Sequence, residues 1–193
     1  MILNLGCGNK LLPGAINVDI TEPNCDLEGF TFVKHDIINY LETFPIETAS
    51  EIHLYYILEH LSFPNANYLT FLLNKSLKMG GRVVGVTDDF ESIVERYYPL
   101  TKIPGEKGRL ERLTEMHGLL WELYDEENTT FHKSIWTKEL LDFVFMKDGF
   151  KKGLFSRYVG ARSVGIFFTF KKKENLLWDA THHKKYHKKR KVR

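Results

Sequence analysis

The sequence predicts an α/β domain on a mostly parallel sheet, and three observations carry that prediction. Short apolar runs, "MILNL", "AINVDI", "TFVKHDI", "EIHLYY" and "RVVGVT", are each bounded by Gly, Pro, Asn or Asp, as strand ends are. Helix-length segments stand among them, and strands alternating with helices favour parallel pairing with both faces covered. After Phe150, "GLFSRYV" and "SVGIFFTF" face each other across "GAR" and read as a closing antiparallel pair.

Taken in order, the first strand runs into "LGCGNK". Gly6 and Gly8 can adopt positive φ and leave the main chain bare, so a ligand can lie against it. The alternative is a sharp corner and nothing more. A full dinucleotide fingerprint needs a third glycine three residues after the second, and Leu11 stands there. Asp19 ends the second strand, where a carboxylate can take both hydroxyls of a ribose, and Asp36 ends the third, in place for an adenine amino group. Both acids can instead simply cap strand ends. Three ligand-ready features at three successive strand ends favour a ligand, because open parallel sheets bind beyond their carboxyl ends.

The segment "NANYLTFLLNKSLKMGG" reads as a helix with Tyr68, Phe71, Leu72 and Leu77 on one broad face and Gly80–Gly81 at its C-terminal cap. "WTKELLDFVFMKDGF" reads as another, with Thr137 as N-cap and Gly149 as its stop. Between the fifth strand and that helix, residues 88–131 are polar, aromatic and acid-rich. A connection so long usually carries function, so a small helical cap over the strand ends is expected there.

At 43% hydrophobic and 27% charged, the 193 residues suit a single domain with one substantial core. No apolar run reaches the roughly 20 residues of a membrane span, the start has no basic leader, and Cys7 and Cys25 make no disulfide framework. A cytoplasmic protein without a membrane partner is the expectation. Residues 171–193 hold ten Lys/Arg against Glu174 and Asp179, a net of +8; the remaining 170 carry 17 basic and 23 acidic groups, a net of −6. Residues 1–174 are therefore read as the folded domain and 175–193 as a basic tail, either a solvated end or a phosphate-binding arm for nucleic acid.

"ILNLGCGNKLLPGAINVDI", "HDI", "ASEIHLYYILEHL", "LKMGGRVVGVTDDF" and "TFHKSIWTKELLDFVFMKDGF" resemble the successive motifs of class I S-adenosylmethionine-dependent methyltransferases, in particular a small branch with a "GCG" opening and a "LEHL" turn. The resemblance runs from residue 2 to about 170. It implies a Rossmann-like, doubly wound sheet of seven strands with the last antiparallel, and the cap inserted after strand 5. It implies S-adenosylmethionine as cofactor, with Asn4, Leu5, Gly6, Cys7, Gly8 and Asn9 around its methionine part, Asp19 on the ribose, Asp36 and Ile37 beside the adenine, and Leu54 and Tyr55 toward the methyl group. Lys10 stands where the superfamily's third turn glycine usually is, and Met79 where a proline usually precedes Gly-Gly.

Histidine is the natural base near neutral pH. His60 in "LEHL" and His132 in "FHKSIW" are the candidate catalytic residues; His60 with Glu59 can equally stabilise a turn. Glu59, Asp88, His117 and Trp121 are candidate acceptor contacts, and no metal is expected, since Glu59 and His60 alone do not make a site. A cap with Tyr97, Tyr98, Trp121 and Tyr124 among carboxylates suits a sugar or other small polar acceptor, methylated on oxygen. A non-catalytic cofactor-binding module and a nucleotide-dependent oxidoreductase are the competing classes. Cover over the cleft is expected from the cap or a second copy, so the chain is read as a monomer or a homodimer.

Overall fold

The structure is a computed structural model that describes residues 1–97, 132–159 and 164–176. Seven strands form one sheet in the order β3-β2-β1-β4-β5-β7-β6. They are β1 (Ile2–Leu5), β2 (Ile16–Asp19), β3 (Thr31–Lys34), β4 (Ala49–Tyr55), β5 (Leu77–Asp88), β6 (Leu154–Val159) and β7 (Val164–Lys171). The first five pair in parallel, and β7 runs antiparallel to both β5 and β6, as the sequence predicts. The helices are α1 (Ile37–Thr43), α2 (Phe63–Ser76), α3 (Phe90–Tyr97) and α4 (Lys138–Lys147).

Register explains which residues form the core. Leu3 lies opposite Ile52, Ile52 opposite Val83 and Val83 opposite Phe170, so one face of the sheet carries an unbroken apolar row. These residues join Leu41 of α1, Leu69 and Leu72 of α2, and Leu141 and Phe145 of α4 in one cluster. Phe145 stacks on Phe170 with ring centroids 4.1 Å apart. The next row along the strands points to the other face and reads Asn17, Asn4, His53, Val84, Thr169, Leu154, which is mostly polar.

Thr137 caps α4 by accepting from the Leu140 N–H, and Gly149 follows the helix at φ +82°. The end of α2 differs from the sequence reading. The helix stops at Ser76, Leu77 opens β5 without a loop, and Gly80–Gly81 lie inside that strand. They sit where the β4–β5 register shifts, between Ala49 and Glu51. The cap comes from far away in sequence: buried Lys172 donates from Nζ to the carbonyls of Asn74 and Leu77, each at 2.8 Å. A helix end needs acceptors satisfied, and a buried ammonium serves as well as a glycine turn. The third strand also ends early, at Lys34, and Asp36 becomes the N-cap of α1. Of the cap expected over 88–131, residues 98–131 lie outside the described residues, as do residues 177–193 of the tail expected over 175–193.

Candidate active site

Parallel strands bring their carboxyl ends to one edge, and there a cavity of about 360 Å³ opens. Gly6 after β1, Asp19 at the end of β2, Asp36 and Ile37 after β3, and Ile57 and His60 after β4 all line it. Lys133 and Asn65 add polar wall.

The turn after β1 is held by polar side chains that the core side of the strand cannot supply. Asn4 is buried and donates to the Lys10 carbonyl and to Asn17 Oδ1, fixing where the turn returns. Asn9 accepts from the Asn24 N–H at 2.7 Å. Cys7 is buried, and burial followed by the charge of Asp19 pushes its thiol up to about 11, so it is inert at neutral pH. Gly6 has φ +65° and Gly8 φ +49°. The bare face of Gly6 is already in use: a Cβ there would stand 1.9 Å from Cδ1 of Ile57. Ile57 reaches that spot because Tyr56, with φ +56°, turns the chain sharply out of β4. Such a conformation costs a bulky residue of the order of 1 kcal/mol and persists where the surroundings enforce it.

Asp19 is half-buried and accepts from the Gly8 N–H (2.8 Å) through Oδ2 and from the Thr21 N–H (2.9 Å) through Oδ1. A carboxylate offers about four acceptor positions, so each oxygen keeps one for a ligand hydroxyl. Asp36 spends Oδ1 on the Asn39 N–H, as an N-cap does. Its second oxygen takes no hydrogen bond from a described residue.

The segment 132–136 is clamped to the turn after β4. The Lys133 and Ser134 N–H groups both donate to the Glu59 carbonyl, at 2.6 and 3.2 Å. Ser134 Oγ donates to the Leu58 carbonyl and receives the indole N–H of buried Trp136. This brings the His132 ring edge-on to His60, with centroids 5.0 Å apart, and His132 Nδ1 to 3.4 Å from Asp88 Oδ2. Glu59 points inward instead of into the cavity. It is 1% exposed, its Oε2 accepts from Thr87 Oγ1 at 2.8 Å, and its Oε1 has no partner among the described residues. Burial, and then the charge of Asp88, push its carboxyl up to about 8, so it is mostly neutral at pH 7.

Leu54 is fully buried in the core, and Tyr55 turns its hydroxyl to His53 Nδ1 at 3.0 Å; neither lines the cavity. Among the described residues no group of three or more His, Cys, Asp or Glu is arranged to hold a metal ion, and no helix is long and apolar enough to cross a membrane. His117 and Trp121 lie outside the described residues.

No protein-family profile matches the chain, and no curated protein does. Solved structures do. An S-adenosylmethionine-dependent methyltransferase from Archaeoglobus fulgidus superposes with a TM-score of 0.60 at 17% identity, over 89% of this chain and 85% of that one. Another from Methanosarcina mazei gives 0.58 at 15% identity, over 89% and 92%. The 1,6-didemethyltoxoflavin-N1-methyltransferase of Burkholderia thailandensis, solved with 1,6-didemethyltoxoflavin and S-adenosylhomocysteine, gives 0.60 at 14% identity, over 90% and 71%.

The fold is that of the S-adenosylmethionine-dependent methyltransferases. Within it, the cavity occupies the edge where the strand order reverses between β1 and β4, the place at which such sheets take ligands. Sequence reasoning missed Ile57, Asn65 and Lys133 as lining residues. Lys133 stands in the quoted "HK" pair and was within reach; Ile57 and Asn65 follow from the turn that Tyr56 makes, which no local pattern announces.

Proposed function

We propose that the chain is an S-adenosylmethionine-dependent methyltransferase acting on a small polar acceptor through a hydroxyl, a sugar being the class that fits best. One observation carries the reading: Gly6 of the first turn and the carboxylates of Asp19 and Asp36 line a single cavity together with His60. The residues fit the cofactor. Asp19 retains acceptor capacity for two ribose hydroxyls, Asp36 Oδ2 for an adenine amino group, and Ile37 and Ile57 offer apolar walls.

The cofactor supplies a methyl group on a sulfonium, an electrophile with an excellent leaving group. What remains for the protein is to align the acceptor, exclude water and take one proton. His132 places Nδ1 3.4 Å from Asp88 Oδ2, and that carboxylate orients the ring. With the cofactor bound to supply its methyl group, the proton that the acceptor hydroxyl gives up would pass to the imidazole of His132, beside the cavity-lining His60. His60 packs edge-on against that ring and fixes its position. Asp88 sets a carboxylate beside His132 at this end of the site, which favours a neutral acceptor over a polyanion.

The test has two parts. Calorimetric titration with S-adenosylmethionine should show binding that Asp19→Ala weakens at least about tenfold, the worth of one to two charge-assisted hydrogen bonds; NAD should not bind. With an acceptor in hand, His132→Ala should lower turnover by about 10²- to 10⁴-fold while leaving cofactor affinity in place. Unchanged turnover removes His132 as the base, and tight NAD binding replaces the methyltransferase reading with an oxidoreductase.

A further inference from the structure

We propose that the sheet carries a second binding surface at its opposite edge, for the phosphodiester backbone of a nucleic acid. It goes beyond the methyl-transfer reading and stands or falls independently of it. The amino-terminal end of β5 pairs Arg82 with Lys171 of β7, and the Lys151 N–H donates to the Lys171 carbonyl at 2.9 Å. Three cations therefore stand in line on three adjacent strand segments, about 5 Å from strand to strand. Lys152 follows Lys151 in the chain as a further exposed cation, and the Lys173 N–H donates to the Gly149 carbonyl.

Like charges directly opposite one another weaken a sheet. Only part of this row is neutralised from within. Glu51 takes Arg82 and His53, Glu47 takes Lys172, and Asp142 accepts the Gly153 N–H. Lys151, Lys152, Lys171 and Lys173 are all exposed and form no ion pair with a described carboxylate; Glu174, itself exposed, is the acid nearest to them in sequence. A linear row of unneutralised cations matches a linear polyanion.

The Leu176 N–H is seated on Asn74 Oδ1 at 3.4 Å, next to this surface, and the 17 residues that follow hold seven Lys/Arg against Asp179. Arg82 and Asp88 are six residues apart on β5, which separates the row from the Asp88–His132 pair by about 20 Å. The surface therefore holds its partner away from the carboxyl-rich end of the cavity, as an anchor that leaves the small-molecule site open.

Fluorescence anisotropy of the full chain with a labelled oligouridylate, from about 50 to 200 mM salt, tests this. Binding should weaken steeply with salt. The variant Lys151→Ser/Lys152→Ser/Lys171→Ser/Lys173→Ser, checked for an unchanged unfolding midpoint, should bind at least about tenfold more weakly, with a slope of log K on log salt smaller by about three, given ~0.7 per phosphate contact on single strands. A full-length variant with its seven tail cations changed to Ser should keep part of the affinity. Three results overturn the proposal: no binding at low salt, wild-type binding by the four-lysine variant, or binding only to phosphatidylserine vesicles and not to the oligonucleotide.

Discussion

Replacing Gly6 with alanine is the sharpest probe of how the cavity is built. At φ +65°, a side chain costs roughly 1–2 kcal/mol of backbone strain. The added methyl would also meet Ile57 Cδ1 at 1.9 Å and Cγ1 at 2.6 Å, so Ile57 must swing away. The cavity that Ile57 lines is the open space beside it, and the displaced side chain moves there. A ligand must then push Ile57 back against the methyl, an overpacking cost of about 1–3 kcal/mol, which is a loss of about 5- to 150-fold in S-adenosylmethionine affinity. Pairing Gly6→Ala with Ile57→Ala removes the collision and leaves the backbone strain. Calorimetry should then find affinity restored most of the way, while thermal unfolding still shows the strain. The reasoning fails if Gly6→Ala binds the cofactor as the wild type does, or if the double variant binds no better than Gly6→Ala alone.

Two further substitutions probe buried charge. Glu59 carries its proton to about pH 8 in the folded chain, against 4.5 unfolded, so the folded state holds a proton that unfolding releases between those values. Stability contributed at this site therefore falls as pH rises from about 4.5 to about 8 and is flat above, by the order of 5 kcal/mol in all at 1.36 kcal/mol per pH unit. Glu59→Gln should gain on the wild type across that window in denaturant titrations, and a constant difference between the two would contradict it. Lys172→Met strips the carbonyls of Asn74 and Leu77 of their donor and should destabilise by about 2–4 kcal/mol with cofactor affinity untouched, because the cavity lies at the other end of the sheet. An unaltered unfolding midpoint would show that water caps α2 equally well.

The contrast between these sites explains what the sequence could and could not disclose. The strands, the antiparallel pair and the capping by Thr137 and Gly149 depend on contacts within a few residues, and local pattern reveals them. Asp19 was placed at its strand end for the same reason; Asp36 was read as closing the third strand, which stops at Lys34 and leaves Asp36 to cap α1. Gly80–Gly81 was misread because a Gly-Gly after a helical run marks a cap or a strand irregularity alike, and the residue that decides, Lys172, lies almost a hundred positions on. The meeting of His132 with His60 and Asp88, and the burial of Glu59, depend on chain segments that return from far away. The bareness of Gly6 suggested a ligand; its nearest neighbour in the folded chain is Ile57.

A crystal structure with S-adenosylhomocysteine tests the central claim most directly. The account predicts ribose hydroxyls on the Asp19 carboxylate, adenine beside Asp36 and Ile37, and sulfur facing His60 and His132. The same compound bound elsewhere, or an empty cavity at saturating concentration, would contradict it.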